Sequence, residues 1–251
     1  MKVAFRSDAQ SYRITLDAAP LNILDVELLE QLHDALKRVA PDRHTLVIDA
    51  RGARAFSAGV SVQDHAQTRI AQTLQTFHDC FRMLARIDVI TIAQVRGVAL
   101  GGGCELALAC DFVLASGDAT FGYPEIKLGA FPPIGAWQMS RQLAPRKGLE
   151  LLLTGDPIDA TTAERLSLVN AVFPTEKFDE QCDAWRERLH RHSASSLRFA
   201  KRAYRIAQAD DFETRLAAVE RLYLDELTKT RDAEEGLNAF LEKRAPQWSG
   251  S

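Results

Sequence analysis

Three consecutive glycines, Gly101 to Gly103, stand between a β-branched run and an apolar helix-forming segment. The stretch reads Val95-Arg-Gly-Val-Ala-Leu-Gly-Gly-Gly-Cys-Glu-Leu-Ala-Leu-Ala-Cys-Asp111: a strand end, a glycine turn and the start of a buried helix. A turn without side chains lets a ligand approach the backbone. The N–H groups at the start of a helix lack intrahelical partners, so they can bind an oxygen that gains negative charge. Glu105 follows two residues after the glycines, where a carboxylate is costly unless it is satisfied or used. Read alone, the turn serves equally well as a tight strand-to-helix connection. It is not a G-x-G-x-x-G fingerprint, and no Gly-Lys-Ser/Thr follows it.

A chain of 251 residues can bury one substantial core, with or without a small appendage. Its 31 Lys and Arg against 34 Asp and Glu leave a net charge of −3, which supplies no bulk attraction to nucleic acid or an anionic membrane. The first eight residues lack the apolar core of a signal peptide, and no apolar run is long enough to span a bilayer. Cys80, Cys104, Cys110 and Cys182 form no C-x-x-C pair, so neither a zinc site nor a disulfide framework is indicated. The expectation is a reduced, cytoplasmic protein with no nucleic-acid partner, no membrane partner and no metal.

In chain order, Val3 to Arg6 and Tyr12 to Leu16 read as strands. Asp25 can cap a helix with Leu29, Leu32, Leu36 and Val39 at helical spacing, and Pro41 ends it. Thr45 to Asp49 reads as a buried parallel strand, and Arg51 to Val62 as a small-residue loop. A second long helix carries Ile70, Leu74, Phe77, Phe81 and Leu84 on one face, and Thr91 to Val95 is the next strand, which leads into the glycine turn. Short strands follow at 112–115 and 119–121, helices at 133–143, 146–153 and 161–166, and a strand at 169–173. Beyond about residue 175 the pattern is helical and more charged, with segments at 177–191, 195–208, 211–228 and 231–242. No internal sequence repeat is visible. The order is α/β first and all-α afterwards, divided into a core of residues 1–190 and a helical region of residues 191–251.

Three further stretches bear on chemistry. Ser57-Ala-Gly-Val-Ser61 has a nearly unobstructed backbone that reads as an ordinary turn or as a second source of N–H donors. Two donors converging on one carbonyl would form an oxyanion hole. Glu125, in Phe121-Gly-Tyr-Pro-Glu-Ile-Lys-Leu-Gly129, is a second acid among apolar residues. It either pairs with a base such as Lys127 or forms a carboxylate pair with Glu105, whose titrations would then be pushed apart. Ser61, Asp64, His65 and His78 read as helix-start and surface residues; the segment Gly59 to Gln63 misses G-x-S-x-G at its last position.

Together, Phe56-Ser-Ala-Gly59, Ala99-Leu-Gly-Gly-Gly-Cys-Glu-Leu-Ala107, Phe121 to Gly129 and Leu152-Leu-Thr-Gly155 resemble, in order and spacing, the crotonase superfamily of enoyl-CoA hydratases and isomerases. The resemblance implies an α/β crotonase fold of repeated βαβ-type turns in two stacked sheets, with a helical C-terminal region for capping and trimerisation. It implies an acyl-CoA substrate, no separate cofactor, and assembly as a homotrimer or hexamer. By position, the N–H groups of Val60 and Gly102 would hold the thioester oxygen. Ser57, Ala58, Val60, Ser61 and Val62 would contact CoA. Glu105 and Glu125 fall on the two glutamates of hydratases, Glu105 as the water-activating base and Glu125 as the acid.

The sequence departs from the family pattern twice. Ser61 stands where an Asp is common, and Pro132-Pro-Ile-Gly-Ala-Trp137 replaces a glycine-rich segment. Phe131, Pro133 and Trp137 would reshape the acyl pocket. Within the family, the segment Pro124 to Pro133 with Asp64-His65 and Phe77-His78 is most similar to members that hydrate a cyclic conjugated dienoyl thioester. The reading is a hydratase of an unsaturated CoA thioester, linear or alicyclic, with a cyclic dienoyl group favoured. The rivals are an isomerase or thioester hydrolase on the same scaffold, and a non-catalytic acyl-CoA-binding protein.

Overall fold

The computed structural model describes residues 1–61, 70–207 and 212–247. The chain opens with strands β1 (Val3–Ser7) and β2 (Ser11–Leu16) and helix α1 (Val26–Lys37). The Asp25 side chain accepts from Leu28 N–H, the cap expected from sequence. Helix α1 buries Leu28, Leu29, Leu32 and Leu36, each worth roughly 1.5–3 kcal/mol of burial.

A structural unit then recurs three times without sequence similarity. A long strand enters one sheet, a short strand enters the other, and a helical segment follows. The first unit is β3 (Thr45–Ala50), β4 (Ala55–Ser57) and α2 (Ile70–Arg86). The second is β5 (Ile90–Val95), β6 (Val98–Leu100) and α3 (Gly102–Leu108). The third is β7 (Phe112–Ser116), β8 (Thr120–Gly122) and a 3-10 helix, Pro124–Leu128. Then come α4 (Pro133–Gln142), α5 (Pro145–Thr154), β9 (Ile158–Asp159), α6 (Ala160–Arg165), β10 (Ala171–Phe173) and α7 (Phe178–His190). The last elements are α8 (Ala194–Ala207), α9 (Phe212–Arg221), a π-helical turn (Leu222–Glu226), a 3-10 turn (Leu227–Lys229) and α10 (Arg231–Leu241).

The six-stranded sheet has the order β1-β2-β3-β5-β7-β10, antiparallel only between β1 and β2. The four-stranded sheet has the order β4-β6-β8-β9, antiparallel only between β8 and β9. One apolar core draws Ile14, Leu46 and Val95 from the first sheet and Phe56, Ala99 and Phe121 from the second. This is the α/β crotonase architecture the resemblance implies.

Three expectations need correction. Between the strand expected at residues 91–95 and the glycine turn stands a further short strand, β6. Gly97, at φ +60°, bends the chain so that β6 joins the other sheet, and a Cβ there would fall 2.2 Å from the Arg54 carbonyl. The single helix expected at 211–228 breaks after Arg221 into a π-helical and a 3-10 turn. A wider turn changes the phase of the helix, so Glu220 meets α2 while Tyr223 is buried. His78 is not a surface residue. It is fully buried, and its Nδ1 lies 2.6 Å from Glu220 Oε1. Arg82 holds the same carboxylate at 3.0 and 3.1 Å, tying α9 to α2. Asp64, His65 and the proposed CoA contact Val62 lie outside the described residues.

Candidate active site

The third unit and the glycine turn bring the two acids together. Glu105 lies on α3, one turn past the glycines, and is 2% exposed. Glu125 lies on the 3-10 helix, and its Oε2 is buried with no hydrogen-bond partner among the described residues. Both line one cavity of about 370 Å³, along with Ala58, Gly59, Val60, Gly101 and Gly102. The alternative of a Glu125–Lys127 pair is not realised: Lys127 points to Asp156 at 2.9 Å.

Close contacts explain the glycines. A Cβ on Gly103 would fall 2.3 Å from the Ser57 carbonyl, and one on Gly102 would fall 2.8 Å from Val60 Cγ2. The loop after β4 therefore lies directly against the start of α3. Leu24 N–H donates to the Gly59 carbonyl, and Ser61 N–H donates to the Leu24 carbonyl. These bonds flank Val60 in a parallel bridge, so its own N–H faces away from Leu24. Gly102 is the first residue of α3, where the helix supplies no acceptor. Two unobstructed backbone donors thus line the cavity that holds the carboxyls.

The electrostatics of the acids differ. Burial and the neighbouring Glu125 charge push the Glu105 carboxyl well above the usual range. Opposing them is the start of α4, where Gly135 N–H donates to Glu105 Oε1 at 2.6 Å and Ile134 N–H also favours the charged form. Burial pushes Glu125 up to about 7. When Glu125 holds a proton, the repulsion on Glu105 disappears while its helix-end donors remain. Burial thus favours one proton shared by the two carboxyls, while the donors at the start of α4 favour whichever charge falls on Glu105. Gln138 supports the arrangement, donating to the Glu105 carbonyl at 2.9 Å and facing the Tyr123 hydroxyl at 3.2 Å.

Of the other residues singled out in the sequence, Ala58, Phe131 and Pro133 line the cavity. Ser57 is buried, its Oγ accepting from Gly59 N–H at 3.1 Å, so it shapes the loop. Ser61 is half-buried beyond the bridge. Trp137 is not among the described lining residues; the Arg141 guanidinium lies 5.5 Å from its ring centroid. It sits one turn into α4, past the residues that face Glu105.

Several lining residues escaped the sequence. Leu74 and Phe77 carried a helical-face signal but read only as core. Tyr223, Leu227, Leu237 and Leu241 come from the charged C-terminal region, where nothing in their local sequence distinguishes them from packing residues. Gly236 is not a lining residue, but a glycine inside a helical segment is itself a signal of close packing. It lets α10 cross the Glu125-bearing helix so closely that a Cβ would fall 2.1 Å from the Leu128 carbonyl. A larger cleft, about 490 Å³ between α1 and α2, has a charged lining that includes Arg82 and Asp79, already paired with each other.

Comparison with known proteins identifies the family. The enoyl-CoA hydratase/isomerase family profile matches residues 8–251. The chain is 36% identical to cyclohexa-1,5-dienecarbonyl-CoA hydratase of Thauera aromatica, over 99% of this chain and 96% of that protein. It is 37% identical to 2,3-dehydroadipyl-CoA hydratase of Escherichia coli K12, covering 92% of each. Carnitinyl-CoA hydratase from Mycobacterium avium superposes with a TM-score of 0.87 at 32% identity, over 100% of this chain and 99% of that one. With the match running nearly end to end, the chain belongs to the enoyl-CoA hydratase/isomerase family of enzymes.

Proposed function

We propose that this enzyme adds water across a double bond conjugated to a CoA thioester. The observation that carries the reading is the placing of Glu105 and Glu125 in one cavity with Val60 and Gly102. The Val60 and Gly102 N–H groups receive the thioester oxygen, which gains negative charge as C3 is attacked; such preorganised donors supply a large share of catalysis. Glu105, whose ionised form accepts from the start of α4, takes a proton from water as its oxygen bonds to C3. Glu125 delivers its proton to C2. The two carboxyls exchange roles in the reverse direction.

The acyl group in this reading is a flat, alicyclic diene. Its support is the identity to the Thauera aromatica relative and an apolar wall that includes Leu74, Phe77, Phe131 and Leu237. Trp137 is left out of that wall. The loop from Ser57 to Val62 guides the CoA moiety, a role supported by Ala58 and Val60 lining the cavity that holds the acids. Residues 191–251 act as the cap of the cavity and as the contact region of a trimer or hexamer, for which exposed Phe240 and Leu241 are suited. Light scattering checks the assembly.

The function is tested by incubating the purified enzyme with crotonyl-CoA, 2,3-dehydroadipyl-CoA and cyclohexa-1,5-dienecarbonyl-CoA and following the mass of each thioester. A gain of one water is expected, fastest on the cyclic diene. Hydration of a linear thioester alone would overturn the alicyclic assignment, and failure on all three would overturn the hydratase reading.

A further inference from the structure

Tyr223 is 4% exposed and lines the same cavity as Glu105 and Glu125. Its ring stands edge-on to Phe131, with centroids 5.1 Å apart at 70°, and packs beside Leu74 and Leu227. Sinking a phenol into an apolar wall is costly unless its hydroxyl finds a partner. Tyr123, the other buried tyrosine of the site, has Gln138. Among the described residues the Tyr223 hydroxyl makes no hydrogen bond, and the side chain is part of the cavity wall. Burial and the charges of Glu125 and Glu105 all push its pKa up, so it keeps its proton across the neutral range and is felt by both acids.

Its position is also fixed from behind. Glu220, one turn earlier, is clamped by buried His78 and by Arg82 on α2, the helix that brings Leu74 and Phe77 to the cavity. A buried donor held this way is preorganised for an oxygen inside the cavity.

We propose that the Tyr223 hydroxyl hydrogen-bonds the oxygen that hydration adds, first as water and then as the C3 hydroxyl of the product. The inference rests on the hydratase reading. Tyr223 keeps its own proton throughout: the proton lost by water goes to Glu105, and the proton gained by C2 comes from Glu125. Tyr223 is thus a ligand for the transferred oxygen, and the apolar remainder of the wall holds the acyl carbon skeleton.

The test is Tyr223→Phe, which removes the hydroxyl and keeps the ring against Phe131. Three quantities are compared with wild type: kcat/KM for hydration of crotonyl-CoA, KM for dehydration of 3-hydroxybutanoyl-CoA, and the inhibition constant of butanoyl-CoA, which lacks the added oxygen. The same set is run with cyclohexa-1,5-dienecarbonyl-CoA, its hydrated product and cyclohexanecarbonyl-CoA. Hydration is expected to slow, and the KM of the hydroxylated thioester to rise, each by roughly tenfold, the worth of one hydrogen bond. The inhibition constant of the saturated thioester should stay unchanged. An unaltered KM for the hydroxylated thioester, or equal weakening of hydroxylated and saturated thioesters, would overturn the role of Tyr223 while leaving the hydratase reading intact. A wild-type enzyme that turns over neither series would overturn both.

Discussion

The Glu125 carboxylate rests on the bare backbone of Gly101: a Cβ built on that glycine would fall 2.4 Å from Glu125 Oε1. The glycine turn is therefore a seat for one acid as well as the start of the helix that carries the other. Gly101 also has φ +51°, a conformation that disfavours any side chain.

Gly101→Ala follows directly. The new methyl group displaces the Glu125 carboxylate, and small misplacements of reacting groups cost on the order of 10²-fold in rate. Steady-state kinetics should show a fall in kcat of that order with the α/β circular dichroism spectrum retained. A variant with unchanged kcat would show that Glu125 does not need this seat.

Gly236→Ala acts on the same acid from the other side. Its Cβ would collide with the Leu128 carbonyl, forcing α10 away from the helix that bears Glu125. Overpacking of this kind costs roughly 1–3 kcal/mol. Thermal unfolding should show the loss, and activity should fall with it because α10 also closes the cavity through Leu237 and Leu241.

The pH dependence of stability follows from Glu125. Its carboxyl is near 4.5 in the unfolded chain and is pushed up to about 7 in the fold. Between those values the folded state binds more protons, so stability falls as pH rises through this window, and the loss is complete above it. Glu125→Gln removes the charge and should be more stable than wild type above pH ~8 by roughly 1–3 kcal/mol. Chemical denaturation across the pH range checks the sign.

Much of this site was legible in the sequence because its parts are local. The Gly101–Gly103 turn, the acid two residues later, and the small-residue loop after β4 each carry a backbone requirement that only certain residues meet. Asp25 capping α1 and the apolar face of α2 were readable for the same reason. What escaped depends on contacts between distant segments. Nothing near Gly97 announces the switch of sheets, which the approach to Arg54 imposes. His78 looked like a surface residue because its partner, Glu220, lies 142 positions away. Tyr223 sits in a charged helical stretch, and only the π-helical turn after α9 brings it into the wall. Trp137 invited a pocket role by its size, yet the geometry of α4 sets it beside Arg141.

Two carboxyls sharing one proton are the centre of the proposed chemistry, so the deciding measurement is kcat/KM for thioester hydration by wild type, Glu105→Gln and Glu125→Gln under identical conditions. Both substitutions keep the side-chain shape and remove one proton-transfer group. Each should lower the rate by about 10²–10⁴-fold, the contribution of a positioned general acid or base. If either variant hydrates at a near wild-type rate, the enzyme works with a single acid–base residue and the two-carboxyl mechanism is wrong.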